Sequence, residues 1–249
     1  MIIVKNDNEI ECMREAGKIL AYVHEEMASI IRVGISTYEI SEYGFKIIKK
    51  KGCTASFYKL YDFPEPFCIS LNDVVVHGIP DRHTFLKDGD IISIDGGVCF
   101  KGYQSDAART HIVGNVSNEI KDLVDRTKKS FYEGIKYARD GNHLHDISNA
   151  IANYIEPFGY GIVTELVGHG IGKKVHEDPE IPNFKQNTRG PKLLRGMTLA
   201  IEPMINLGVS DVNFSEEDGW TVRTNDGKVS AHYENTILIT DNEPEILTI

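Results

Sequence analysis

Several features that would assign this chain to a broad class are missing. No stretch approaches ~18 consecutive apolar residues, so no membrane-spanning helix is expected. The opening residues, MIIVKNDNEIECMRE, turn polar at once and contain no signal-peptide hydrophobic region, which leads to an expected cytoplasmic location. Cys12, Cys53, Cys68 and Cys99 form no C-x-x-C pair, so free thiols are expected in place of a disulfide framework or a zinc cluster. No basic run exceeds the KKK at 49 to 51, and 27 Lys+Arg against 37 Asp+Glu leave a net charge of −10, which argues against sequence-independent nucleic-acid binding. Nor is there a Pro/Gly/Ser linker near the middle, where VGNVSN runs straight into a helical pattern; one domain over residues 1–249 is expected.

What is present is an internal repeat at a constant offset of 107 residues. Arg32-Val33-Gly34 matches Arg139-Asp140-Gly141, Gly52 matches Gly159, and LKDGDIISID aligns with LLRGMTLAIE, so that Gly89 falls on Gly196 and Asp95 on Glu202. Apolar spacing predicts helices over 9–32 and 36–50, the second opened by a Ser36-x-x-Glu39 capping box, and again over 118–139 and 144–158. Each helix pair is followed by strand-forming sequence: FCISL, DIISIDGGVCF and YQSDAARTHIV, then GIVTEL, MTLAIEPMINL and VSAHYENTILIT. Lys101-Gly102 and Asn225-Asp226-Gly227 read as hairpin turns. The expected fold class is α+β, with pseudo-symmetric halves of about 1–114 and 115–249, each packing two helices on antiparallel strands of a shared central sheet.

Asp95 and Glu202 each end an apolar strand run, while Asp106 and Glu234 sit inside the strands that follow. Singly, each acid is well explained by a salt bridge or a solvated strand face. Together with His169 in the glycine-rich GHGIG they make a set of hard oxygen donors with one nitrogen, suited to divalent Mn, Fe(II), Co or a catalytic Zn. Gly168, Gly170 and Gly172 are expected to allow sharp turns and close approach of substrate beside His169.

With VVHGIP, LKDGDIISID, GHGIG, HEDP, GMTLAIEP, HYENT and the WTV at 220 to 222, the chain resembles the type I methionine aminopeptidases over essentially its whole length. The resemblance implies the pita-bread fold and removal of the N-terminal methionine from nascent chains whose second residue is small. It also implies two divalent ions that activate a water. Asp106, His169, Glu202 and Glu234 would hold one ion and Asp95, Asp106 and Glu234 the other. Glu202 would carry the proton, His176 and His77 would contact substrate and stabilise developing charge, and Phe63, Cys68 and Trp220 would line a methionine pocket. A monovalent cation near Asn72, Val74 and Ser230 is implied as well, as is a monomer working near the ribosome without membrane or nucleic-acid partners. The chain departs from the family pattern in FYKLYDFPEP, at Val175 and at Asn235, positions that bear on pocket lining and on support of the metal ligands. An X-prolyl peptidase and a non-catalytic binding protein of the same fold are the rival readings; the absence of an added N-terminal domain and the presence of all five ligands count against them.

Overall fold

A computed structural model describes all residues, 1–249. The first half runs α1 (Asp7–Ser29), α2 (Thr37–Lys50), β1 (Thr54–Ala55), β2 (Phe67–Leu71), β3 (Val74–Val76), β4 (Ile91–Phe100) and β5 (Tyr103–Ile112). The second runs α3 (Asn118–Ile135), α4 (Leu144–Ile155), β6 (Gly161–Ile162), β7 (Gly168–Gly170), β8 (Glu177–Ile181), β9 (Thr198–Ile201) and β10 (Met204–Asn206). It continues with β11 (Val212–Phe214), β12 (Val222–Thr224), β13 (Ser230–His232), β14 (Asn235–Leu238) and β15 (Glu245–Ile246). No helix is long and apolar enough to cross a membrane.

Local signals set the helix starts. Asn6 and Ser36 each accept from the backbone three residues on, and Glu9 and Glu39 return the bond, so both N-termini are closed by reciprocal capping. The ends differ from expectation: α1 stops at Ser29 and α3 at Ile135, because the backbone tightens into bonds from Ile30 N to Met27 O and from Ala138 N to Ile135 O.

The repeat is visible in the backbone. Gly34 N donates to Leu86 O (2.8 Å) and Gly141 N to Leu193 O (3.0 Å), the same bond 107 residues on, and both glycines sit at positive φ (84° and 88°). Each half has its own apolar core, one built around Leu20, Met27, Phe67 and Ile94, the other around Phe131, Ile147, Leu199 and Ile237.

The long hairpin β4–β5 in the first half is continuous, closed by Lys101-Gly102 at positive φ with Phe100 opposite Tyr103. Its counterpart is broken. MTLAIEPMINL divides into β9 and β10 at Glu202-Pro203, where proline offers no N–H, and the returning strand divides into β13 and β14 at Tyr233-Glu234. Glu234 is out of the ladder because its N–H goes to Ala108 O (3.0 Å) across the molecule, and Ala108 N returns a longer bond to Glu234 O (3.4 Å). That exchange joins the halves. The strands therefore form four hydrogen-bonded sheets that meet along β5 and β13–β14, in place of one uninterrupted sheet.

Three further expectations need correction. Asn225-Asp226-Gly227 turns the chain from β12, paired with β11 and β3, to β13, paired with β10, so it links two sheets and closes no hairpin. Of GIVTEL, only Gly161–Ile162 is strand. The glycines around His169 also serve a different end. Gly168 and Gly170 are buried in β7, where a Cβ would meet Ala200 O at 2.4 Å and Asp178 O at 2.0 Å, so they let β9 and β8 close on both sides of His169. Gly170→Ala should push β8 off β7 and cost about 1–3 kcal/mol, the usual range for overpacking, measurable by urea denaturation; an unchanged midpoint would contradict the close packing.

Candidate active site

Asp95 enters from β4, Asp106 from β5, His169 from β7, and Glu202 and Glu234 from the two breaks in the second hairpin. Four are buried, Asp106 and Glu234 at 2% exposed and Asp95 and His169 at 8%, and Glu202 is partly buried. Ligand atoms of Asp106, His169 and Glu234 lie within 4.8 Å of one another. His169 Nε2 is 3.6 Å from Glu202 Oε1 and 3.9 Å from Asp106 Oδ2. His169 Nδ1 meets Gly170 O at 2.9 Å, which makes Nδ1 the protonated nitrogen and leaves the Nε2 lone pair aimed at the acids.

Nothing in the protein balances this charge. Asp95 Oδ1, Asp106 Oδ1 and Glu234 Oε1 are buried without a hydrogen-bond partner. The one cation nearby, Arg109, is spent on backbone: it donates to Glu234 O, Ala108 O and Thr248 O and to Asn235 Oδ1. Burial consequently pushes Asp95 up to about 7 and Glu202 up to about 8. Asp106 and Glu234 are driven well above the carboxylate range, by burial and by the neighbouring acids. Burial also depresses His169 and His77 to about 4 and lowers His176. Orphaned hard oxygens beside one free imidazole nitrogen are a fitting donor set for divalent metal.

These groups floor a small pocket whose wall is aromatic. Phe63 meets Trp220 edge-on (5.1 Å between centroids) and Trp220 meets His77 edge-on (6.3 Å), with Cys68 beside the acids. His77 is held at φ 58°, a strained conformation for a non-glycine residue that persists only where the surroundings enforce it. His176 packs edge-on to His169 at 4.5 Å, so the two histidines of LVGHGIGKKVHE share the pocket in different places. The same pocket thus gathers every acid and histidine singled out from the sequence, together with Phe63, Cys68 and Trp220. Asn72 and Ser230 also meet, through Ser230 N donating to Asn72 O at 2.9 Å, but away from this pocket.

The sequence pattern of the metallopeptidase family M24 matches residues 11–241. The chain belongs to that family. Membership in M24 carries with it the use of divalent metal. The chain is similar to the methionine aminopeptidase of Clostridium perfringens, with 54% identity over 249 residues that cover 100% of this chain and 99% of that protein. The crystal structure of a methionine aminopeptidase from Thermotoga maritima superposes on it with a TM-score of 0.97 at 40% identity, covering 100% and 99% of the two chains. An X-Pro aminopeptidase from the same organism superposes at 0.79 with 23% identity over 63% of its length, which is likeness of fold alone.

Apart from Phe63, the sequence points to FYKLYDFPEP only as a segment bearing on the lining, without individual residues. Phe57, Leu60 and Tyr61 also line the pocket, and Tyr61 stacks on His176 at 5.9 Å with planes 16° apart. The signal was weak: they lie in the irregular FYKLYDF segment, where Lys59, Tyr61 and Asp62 all take positive φ. His232, buried and without a ring partner, was also missed.

The charge imbalance fixes a pH dependence. Asp95 and Glu202 have folded values above their ordinary 3.8 and 4.5, so their contribution to stability is complete below pH ~4 and is lost as pH rises through about 7 and 8. His169 and His77 act oppositely, but only up to their ordinary value of 6.5. Between pH 6.5 and 8 the metal-stripped protein should therefore lose stability, and the rise in melting temperature on adding Mn²⁺ should grow, with protons released on binding. Calorimetry in buffers of different ionisation enthalpy checks this; metal binding without proton release at pH 6.5 would contradict it.

Proposed function

We infer that this protein is a methionyl aminopeptidase, a metal-dependent hydrolase that removes the N-terminal methionine of peptides and nascent proteins. The observation that carries the reading is one pocket with a floor of uncompensated buried carboxylates and a wall of Phe63, Cys68 and Trp220, in a chain so similar to methionine aminopeptidases along its full length. We further propose two ions per chain, one held by Asp106, His169, Glu202 and Glu234 and the other by Asp95, Asp106 and Glu234. Mn, Fe(II), Co and Zn all suit these donors. When bound, divalent ions in such a site acidify water and polarise the scissile carbonyl.

The protein's own groups supply the rest. Glu202, the least buried acid of the set with a side chain 14% exposed, is the one placed to take a proton from water and pass it to the leaving nitrogen. His176 stands at the pocket rim and donates to the developing oxyanion, while His77 donates near the leaving amide. Desolvation holds His77 at about 4 and lowers His176 below the ordinary imidazole range, which favours the neutral form with one N–H to donate. The aromatic edges of Trp220 and Phe63 and the Cys68 thiol suit a polarisable thioether. The cramped pocket, about 70 Å³, supports a limit to small second residues. A monovalent cation near Asn72, Val74 and Ser230 belongs to the proposal, as do action of residues 1–249 as one catalytic domain and a cytoplasmic monomer working close to the ribosome.

The reading is tested with three peptides. Met-Ala-Ser should be cut, N-acetyl-Met-Ala-Ser should not, and Met-Lys-Ser should be cut much more slowly; comparable cleavage of the acetylated peptide would make this a different hydrolase. Chelation should abolish activity and Mn, Co or Fe(II) restore it, and Asp106→Asn and Glu234→Gln should each prevent restoration.

The two histidines of the glycine-rich segment separate by variant. His169→Ala should weaken metal binding and recover part of its rate in excess metal. His176→Ala should bind metal normally yet lose about 10²–10³ in kcat, the usual loss on removing one oxyanion donor. Metal titration alongside kcat decides this, and equal metal loss in both variants would refute the division of roles.

A further inference from the structure

His232 has no part in the roles above, yet its position and surroundings give it one. The hairpin registers of the repeat can be matched strand for strand. Gly97 and Met204 are equivalent at the 107-residue offset; Gly97 pairs with Asp106 and Met204 pairs with His232. His232 thus occupies in the second half the position that Asp106 holds in the first, at the end of β13 just before the break that carries Glu234.

The ring is 1% exposed, and neither Nδ1 nor Nε2 has a hydrogen-bond partner. Its backbone is fixed from both sides, with His232 N donating to Thr110 Oγ1 and Thr110 Oγ1 donating to His232 O, each at 2.9 Å. Nε2 faces Glu202 Oε2 at 3.6 Å, the same separation at which His169 Nε2 faces Oε1, so one carboxylate is bracketed by two imidazoles. A buried N–H left unpaired is destabilising, and Glu202 Oε2 is the acceptor facing Nε2.

We propose that His232 is a positioning residue that donates from Nε2 to Glu202 Oε2, orienting that carboxylate so that Oε1 is the oxygen presented to metal and to the proton in transit. The proposal rests on the metallopeptidase reading of the site. Partners that orient a ligand in this way typically contribute ~10–100-fold to metal affinity or activity.

The test is metal affinity by calorimetry, with visible absorption of the Co(II)-loaded protein as a second readout. His232→Ala and the space-filling His232→Leu should both weaken Mn²⁺ binding by about 10–100-fold and alter the Co(II) bands. His232→Gln, whose amide N–H reaches the same oxygen, should recover most of the affinity, with circular dichroism confirming that it is folded. In a Glu202→Gln background, His232→Ala should add less than about threefold, because the group it acts through has already been changed. Wild-type affinity in both His232→Ala and His232→Leu, or an undiminished effect of His232→Ala in the Glu202→Gln background, would overturn the inference while leaving the metallopeptidase reading intact. Failure of the wild-type protein to bind Mn²⁺ would overturn both.

Discussion

The structure depends on burying four carboxylates that no cationic side chain neutralises. Desolvating an unpaired carboxylate costs several kcal/mol, and the fold buries Asp95, Asp106 and Glu234, with Glu202 largely withdrawn from water beside them, within one small pocket. Such an arrangement survives only if the backbone carrying it is rigid and if protons or divalent ions supply the missing positive charge. The one guanidinium within reach shows how closely this is kept: Arg109 binds the carbonyl of Glu234 and leaves its carboxylate alone. On the proposed reading, this cost leaves the donors for a divalent ion already assembled.

Rigidity comes from the way the repeat closes on itself. Ala108 and Glu234 stand at matching places in the two hairpins, and they exchange backbone hydrogen bonds where the halves meet. Asp106 is held at the same seam by Thr236, whose Oγ1 accepts from Asp106 N and donates to Asp106 O. The acids therefore lie on the junction itself, and each half contributes part of the donor set. Neither half alone contains it.

The aromatic wall follows a looser rule. Phe63 comes from the irregular segment before β2, His77 from just after β3 and Trp220 from the loop before β12, places where regular pairing has ended, while Cys68 stands on β2 opposite Asp95. Tyr61 stacked on His176 links this wall to the glycine-rich segment. Asp95, Asp106 and His169 are carried on strands and Glu202 and Glu234 at the breaks between strands, while most of the lining comes from loops, the usual division between a fixed centre and a more variable rim.

The helix pairs, the 107-residue repeat, the Ser36 cap and the grouping of four acids with His169 were legible in the sequence alone. Each rests on local chemistry or on residue types out of place in an apolar strand, and both are legible without contacts. Asp95 and Glu202 stood out because a carboxylate ends an apolar run, and His169 because glycines surround it. Tertiary structure alone decided what depends on partners distant in the chain. Glu234 breaks its own strand because Ala108 takes its N–H, and Gly168 and Gly170 are required by the approach of β9 and β8 and not by a turn. His232 reads in sequence as one more strand residue beside a tyrosine; only the register opposite Met204 turns its imidazole toward Glu202. Hydrogen-bond partners and close packing are set by which strands meet across the fold, and a residue's immediate neighbours in the chain carry no record of that.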